Sequence, residues 1–249
     1  MKLFHASLSK AGGREENEDC IGIRLLPGGA GCWVVADGLG GHAEGATASR
    51  LAVDSLIESF AGDPKISRHS LLNGLECAHQ DILKHQSATS SDNSMRTAIA
   101  VLIGDGLIAH WAHVGDVRLY VFRDGKVFFQ TKDHSVPQAL VNAGEIGVDA
   151  IRGHEDRNRL LRSLGSPENH QPSILENPFV ILRGDIFLLC TDGFWEYVNE
   201  LEMLLEWCKS LNLRDWLERM ELRILKCAPQ GHDNYSAIAL FADVDGVFT

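Results

Sequence analysis

The chain has 249 residues, of which 45% are hydrophobic and 23% are charged, and it contains 7 prolines. This composition is typical of a globular protein with a substantial core, and it excludes collagen-like, low-complexity and coiled-coil chains. The 23 Lys and Arg residues against 34 Asp and Glu residues give a formal net charge of −11, which argues against a nucleic-acid partner and favours a search for cation sites.

The predicted elements alternate between strand-rich and helical regions. In chain order, the residue patterns predict strands over 21–26 and 32–36, helices over 45–60 and 71–82, strands over 98–103, 107–114, 117–122 and 127–130, a helix over 136–143, a strand over 186–190, helices over 200–208 and 213–227, and a strand over 235–241. Ser135 as N-cap and Gly144 as a stop bound the third helix. Helices before and after a central set of hairpins predict an α+β fold with antiparallel sheets covered by helical layers.

The chain shows no sign of division, export or membrane insertion. No Pro/Ser-rich linker, charge block or internal repeat separates two parts, so we expect a single domain over residues 1–249. No apolar run has the length of a membrane helix, and no secretory signal is apparent. The six cysteines are scattered without a Cys-x-x-Cys pair, which favours reduced thiols and a cytoplasmic protein.

Five Asp-Gly dipeptides occur, and each taken alone is typical of a tight turn. That interpretation suits Asp105 and Asp124, which have predicted strands on both sides. Asp37 and Asp192 differ, because each closes a buried apolar run and neither is placed to form a simple hairpin. Asp233 comes just before the last predicted strand. If that strand is antiparallel to the other two, its start lies beside their ends and the three carboxylates converge.

Further carboxylates fall near the same strand ends. Asp116 lies between two predicted strands, and Glu18 and Asp19 precede the first predicted strand. Clustered carboxylates repel one another unless cations neutralise them, and an all-oxygen donor set favours Mg²⁺ or Mn²⁺ over zinc. The sequence therefore predicts a divalent-cation site.

Seven short motifs contain these acidic residues and several others. They are Arg14-x-x-Asn17-Glu18-Asp19, Asp37-Gly38-Leu39-Gly40-Gly41-His42, Val114-Gly115-Asp116-x-Arg118-Leu119-Tyr120, Asp133-His134-Ser135, Arg157-Asn158-x-Leu160-x-Arg162-x-Leu164-Gly165, Cys190-Thr191-Asp192-Gly193 and Asp233-Asn234-Tyr235-Ser236. In this order and at roughly this spacing, they make nearly the whole chain resemble the metal-dependent Ser/Thr protein phosphatases of the PPM (PP2C) type, particularly the compact bacterial members. The resemblance implies a four-layer αββα sandwich of two antiparallel β-sheets flanked by helices.

The resemblance also implies a binuclear metal centre. Asp37 would bridge two cations, and the backbone carbonyl of Gly38 would bind the first. Asp192 and Asp233 would hold the second, and Arg14 would clamp the substrate phosphate, a role that suits a planar guanidinium. Arg14, Asp37 and Asp192 are thus the predicted catalytic residues.

Three further acidic residues match metal positions of the family. Glu18 and Asp19 match positions that bind metal directly or through water. Asp116 together with Asp192 matches a weaker third site of bacterial relatives. The resemblance therefore implies two, or with this site three, Mn²⁺ or Mg²⁺ ions per chain.

The implied function is hydrolysis of phosphoserine and phosphothreonine on proteins by a metal-activated water, in opposition to a bacterial Ser/Thr kinase. Leu39 stands where animal relatives have a His proposed as general acid. A metal-bound water or His42 would replace that His, and we favour the water because we interpret His42 as a backbone partner at the helix start. Segments 112–116 and 158–165 resemble members that oppose a kinase in type VI secretion regulation. The alternative is a pseudophosphatase that acts as a binding or sensing module, which a missing metal-binding aspartate would have favoured, and none is missing.

Three further regions complete the interpretation. The segment from about 145 to 172 corresponds to the family's variable flap, which we expect to be mobile and to influence substrate choice. Trp195, just beyond Asp192, is interpreted as a core residue in preference to a residue of the site rim. Asp243-Val244-Asp245-Gly246-Val247 is similar to the nucleophile motif of haloacid-dehalogenase-type phosphatases, but that motif must open a large α/β domain. We interpret it as a polar turn.

Overall fold

The computed structural model describes residues 1–40, 43–89 and 94–244 and consists of two β-sheets with helices on both sides. In chain order the elements are β1 (Lys2–Lys10), β2 (Cys20–Leu25), β3 (Gly31–Leu39), α1 (Ala43–Gly62), α2 (Arg68–Thr89), β4 (Arg96–Gly104), β5 (Ile108–Val114), β6 (Arg118–Arg123), β7 (Lys126–Gln130), α3 (Val136–Ala143), a 3₁₀-helix (Val148–Gly153), β8 (Ser173–Ile174), β9 (Phe179–Val180), β10 (Ile186–Cys190), α4 (Asp192–Trp195), α5 (Glu200–Lys209), α6 (Leu213–Cys227) and β11 (Tyr235–Asp243).

The strand order is β1-β11-β10-β6-β7 in the first sheet and β2-β3-β4-β5-β8 in the second, where β9 also pairs with β5. Every strand pair among the described residues is antiparallel. The chain passes from the second sheet to the first through the turn between β5 and β6, and again between β9 and β10. This topology places the end of β10 beside the start of β11, and the end of β3 beside the start of β2.

The apolar run of β3 is buried on both faces, which explains why it is continuous and not alternating. Trp33 and Val35 lie in the core between the two sheets. Val34 and Ala36 point the other way and pack in the cluster that includes residues of α1 and α2. These helices therefore cover the outer face of the second sheet.

The first sheet is covered in the same way by the C-terminal helices. Met203 of α5 and Trp216 of α6 pack with Leu188 of β10 and Ala237 of β11. The layers are therefore helix, sheet, sheet and helix. The predicted α+β fold, with two antiparallel sheets flanked by helices, is confirmed. None of the helices in the described ranges is long and apolar enough to cross a bilayer.

Local features that have a direct physical cause were predicted correctly from the sequence. The turn at Asp124 and Gly125 joins β6 to β7 with both residues at positive φ, 52° and 69°, which suits an Asp-Gly hairpin. Ser135 caps α3 by accepting from the backbone N–H of Gln138, and Gly144 ends that helix with φ 76°. The predicted limits of α6 agree with those in the structure.

Other features differ from the sequence-based expectation. β1, β8, β9 and α4 were not predicted. Asp37 does not close its strand, because β3 continues to Leu39 and pairs Asp37 with Ala98 and Gly38 with Thr97. Asp37 also belongs to a different sheet from Asp192 and Asp233, so the expected convergence occurs across the two sheets. His42 and Asp245 lie outside the described residues.

Candidate metal centre and active site

Five aspartates lie at one end of the two sheets, each on a different segment. Asp37 is near the end of β3, Asp19 just precedes β2, and Asp116 lies in the turn between β5 and β6. Asp192 is the first residue of α4, directly after β10, and Asp233 just precedes β11. Antiparallel pairing of β10 with β11 and of β2 with β3 brings these segments together.

The electrostatics of this group show how closely the carboxylates are placed. Burial, and next the charge of Asp192, raises the pKa of Asp37 well above its usual range. The Asp37 carboxyl is hydrogen-bonded to Asp192, whose own pKa is raised to about 6 by burial and by Asp233. Burial, followed by the charges of Asp192 and Asp133, also raises the pKa of Asp116. A divalent cation would offset this repulsion and stabilise the ionised carboxylates.

Asp19 is held by hydroxyl groups of the first sheet. The Thr191 Oγ1 donates to Asp19 Oδ2 at 3.0 Å, and Ser236 also hydrogen-bonds this side chain. Burial raises the pKa of Asp19 to about 8 despite these two bonds, and the charges of Asp192 and Asp233 act in the same direction. Thr191 also accepts from the backbone N–H of Ser236 at 3.0 Å, so it joins β10 to β11 beside the carboxylates.

Glu18 lies on the other side of the group, where β3 meets α1. Its backbone carbonyl accepts from the Gly38 N–H at 3.2 Å and from the Ser49 hydroxyl at 2.6 Å. A Cβ on Gly45 would collide with the Glu18 carboxylate, and a Cβ on Gly38 would collide with the backbone of Gly45. The two glycines therefore allow β3, the Glu18 loop and the start of α1 to approach closely.

Asn234 fixes the loop that carries Asp233 to the loop that carries Glu18. Its side-chain oxygen accepts from the Glu18 N–H at 2.8 Å, and its amide nitrogen donates to the carbonyls of Ala11 and Glu16. Both ends of the amide are used, so its orientation is fixed. The segment around residues 11–18 is thereby held over the start of β11.

Arg14 belongs to that segment and reaches the carboxylate group. Its Nη2 donates to Asp233 Oδ2 at 3.2 Å, and its side chain is 55% exposed. The guanidinium thus lies between a carboxylate of the group and solvent. This position suits a residue that meets an incoming anion.

The donor set fits a hard divalent cation that keeps part of its water. Asp116 Oδ1 is buried and has no hydrogen-bond partner, which is costly for a carboxylate unless something else binds it. Within the part of the chain that the structure describes, no three Asp, Glu, His or Cys side chains form a closed metal-ligand set. Mg²⁺ and Mn²⁺ do not require one, because carboxylates, backbone carbonyls and water share the coordination.

The flap segment, residues 145–172, is tied to the chain just beyond Asp192. The Arg157 guanidinium pairs with Glu196 at 2.8 Å, and Arg152 pairs with Glu200 at 2.6 Å. Gly165, within the segment, is also fixed, because its N–H donates to His79 Nδ1 at 3.1 Å. The flap therefore contacts the strand-to-helix region that carries one of the central carboxylates.

Over residues 9–243, the sequence matches the family model described as protein phosphatase 2C. The chain belongs to the protein phosphatase 2C family. It is 29% identical over 238 residues to the serine/threonine protein phosphatase PstP of Mycobacterium tuberculosis, covering 93% of this chain and 43% of PstP. It is 29% identical over 237 residues to the serine/threonine phosphatase stp of Listeria monocytogenes, covering 93% of this chain and 92% of stp. This chain thus spans less than half the length of PstP.

Solved structures agree with this family assignment. The catalytic domain of PstP in complex with two manganese ions superposes with a TM-score of 0.81 at 26% identity, covering 96% of this chain and 97% of that domain. PppA, described as a key regulatory component of T6SS in Pseudomonas aeruginosa, gives a TM-score of 0.77 at 26% identity, covering 98% and 99%. The family resemblance is confirmed, and the named relatives have the enzyme class predicted from the sequence.

Several residues around the carboxylates were not assigned a site role from the sequence. Thr191 and Asn234 lie in quoted motifs, which was the available signal, but their partners lie far away in the chain. Trp195 is buried, as expected of a core residue, and its indole N–H also reaches the backbone of Asp116. Arg118 and Asp133 form a buried ion pair that no charge pattern in the sequence indicates.

Proposed function

We propose that this chain is a metal-dependent phosphatase that hydrolyses phosphoserine and phosphothreonine on proteins. The observation that carries the proposal is the contact of Asp37 with Asp192 across the two sheets, with Asp19, Asp116 and Asp233 close enough to act on their charges. The relatives named as serine/threonine phosphatases and the manganese-containing PstP domain support it.

In this proposal each carboxylate holds a cation or the water around one. Asp37 would contact both ions, the Gly38 carbonyl would bind the first, and Asp192 and Asp233 would hold the second. When bound, Mn²⁺ or Mg²⁺ lowers the pKa of a coordinated water and neutralises charge on the phosphate. The contact between Asp37 and Asp192 supports the proposal that both carboxylates bind the same ion.

The remaining acidic residues take more peripheral positions. Glu18 and Asp19 would bind an ion directly or through water, and Asp116 would share a third, weaker site with Asp192. The free, buried Oδ1 of Asp116 supports this last assignment. Arg14 orients the substrate phosphate, because its guanidinium lies at the solvent side of Asp233.

The biological setting belongs to the same proposal. Substrates are phosphorylated proteins of a cognate Ser/Thr kinase system, and the likeness to PppA supports a role beside type VI secretion. We propose a cytoplasmic location, which the six free cysteines support, since thiols stay reduced in that compartment.

The test is hydrolysis of p-nitrophenyl phosphate by the full chain, with and without millimolar Mn²⁺. The variant is Asp192→Asn, and the matched control is Asp124→Asn, which makes the same change at an exposed turn whose φ of 52° also suits Asn. We expect Mn²⁺-dependent activity that falls about 100-fold or more in Asp192→Asn and is unchanged in the control.

Two outcomes would contradict the proposal. Equal activity of Asp192→Asn and Asp124→Asn would show that Asp192 takes no part in the reaction. A folded wild type that binds Mn²⁺ but hydrolyses neither the aryl phosphate nor a phosphothreonine peptide would favour the pseudophosphatase.

A further inference from the structure

Trp195 connects two of the segments that carry candidate metal ligands. It lies in α4, three residues after Asp192, and is buried. Its indole Nε1–H donates to the backbone carbonyl oxygen of Asp116 at 2.9 Å. The backbone that carries Asp192 is therefore joined directly to the backbone that carries Asp116.

The turn that carries Asp116 is fixed on its other side by His134. The Gly115 N–H donates to His134 Nδ1 at 3.1 Å, and the Gly115 carbonyl accepts from the His134 N–H at 2.8 Å. Gly115 has a φ of 92°, and a Cβ there would collide with Ala98. The turn is thus held by its backbone, while the buried Asp116 Oδ1 has no partner.

The orientation of the indole is set by a buried cation. The Arg118 guanidinium lies 3.5 Å from the centroid of the Trp195 ring. Two hydrogen bonds, of 2.9 and 2.8 Å, hold that guanidinium on Asp133, and both side chains are buried. Stacking on a fixed guanidinium leaves the indole little freedom, so its N–H points in one direction.

We infer that Trp195 is a positioning residue for the cation site that Asp116 and Asp192 share. Its N–H···O bond fixes the separation of the two segments, and this separation sets how well one ion can contact both carboxylates. The inference rests on the proposed function, since it concerns the third and weakest of the proposed ions. It assigns a role to the Arg118–Asp133 pair as well, through the ring that the pair orients.

The test compares two Trp→Phe variants, each of which loses one hydrogen bond from an indole N–H to a backbone carbonyl. Trp216 is also buried, and its Nε1–H donates to the Met203 carbonyl at 2.9 Å, within the helical layer of the first sheet. Metal-free wild type, Trp195→Phe and Trp216→Phe are titrated with Mn²⁺ alone by isothermal titration calorimetry. For Trp195→Phe we expect the weakest binding event to lose about fivefold to tenfold in affinity, with the tighter events unchanged. Trp216→Phe should match the wild type.

A double-mutant cycle distinguishes an effect of Trp195 on the site of Asp116 from a general loss of rigidity in the protein. In an Asp116→Asn background the weak event is already impaired, so adding Trp195→Phe should change the titration no further. If Trp195→Phe does not fold, benzothienylalanine at position 195 replaces the N–H by sulfur and keeps the ring shape. It should weaken the same event by a similar factor.

The outcomes separate this inference from the proposed function. A folded wild type that binds no Mn²⁺ would refute the function. A wild type with only two binding events, an unaltered weak event in the variants of Trp195, or an equal loss in Trp216→Phe would overturn the inference and leave the function standing.

Discussion

The buried ion pair between Arg118 and Asp133 gives the most direct test of how this fold is stabilised. The two side chains are 4% and 2% exposed, and both carboxylate oxygens accept from the guanidinium. Asp133→Asn keeps the shape but leaves the Arg118 charge in the core, a change that typically costs about 3–5 kcal/mol. The Tyr120 hydroxyl at 3.1 Å and Glu200 at 3.9 Å remain as partners. We therefore expect the lower end of that range, about 3 kcal/mol.

The assay is urea unfolding at pH 7 in the presence of EDTA, so that cation binding does not add to the free energy of unfolding. At about 2–4 °C per kcal/mol for a chain of this size, the same variant should lower Tm by about 6–12 °C. The control is Asp63→Asn, whose pair with Lys65 is 58% and 75% exposed and should contribute nothing measurable. A loss below about 1 kcal/mol in Asp133→Asn would refute the reasoning that burial makes this pair critical.

Three further predictions concern titration, charge crowding and helix capping. Burial lowers the pKa of His134 from 6.5 to about 3, so the unfolded chain takes up a proton that the folded chain does not, and stability falls as pH falls from about 7 towards 3. In His134→Gln, urea unfolding between pH 6 and 4 should show a slope shallower by about 1.4 kcal/mol per pH unit; an unchanged slope would contradict a neutral His134. Asp192→Asn removes one of the mutually repelling carboxylates, so in EDTA at pH 8 the free energy of unfolding of the variant should be about 1 kcal/mol larger than that of the wild type. Added Mn²⁺ should raise the Tm of the variant less than that of the wild type. A metal-free variant that is less stable than the wild type would contradict the repulsion between these carboxylates. Asn199 and Glu202 form a capping box at the start of α5, so Asn199→Ala should cost about 1 kcal/mol in thermal unfolding, whereas Asn199→Asp should cost little.

The part of the site that follows from strand ends could be predicted from the sequence. Asp192 and Asp233 follow and precede apolar strands, and the antiparallel pairing of β10 with β11 places them together as expected. Asp37 joins them for a reason that the sequence does not contain, namely the face-to-face packing of a second sheet. Its strand also extends beyond the apolar run, because pairing with β4 continues after the hydrophobic residues end.

The interactions that orient the carboxylates depend on register and could not be predicted. Thr191 reaches Asp19, and Trp195 reaches Asp116, only because particular residues of distant strands lie opposite each other. β1 was missed because its sequence contains no Val, Ile or Thr and only one aromatic residue, Phe4, so its strand propensity is weak. The hydrogen bonds to β11 hold this segment in a strand that its own sequence does not predict.

That pairing has a consequence for how the protein is made. Lys10 of β1 lies opposite Tyr235 of β11, and β11 lies between β1 and β10 in its sheet. During synthesis, the second sheet can assemble from β2 to β5 while β1 still has no neighbour to pair with. The first sheet closes only when β11 has left the ribosome, and Asp233 joins the other aspartates in the same step. A nascent chain that lacks β11 therefore does not yet bring Asp233 to the other four aspartates of the proposed metal centre.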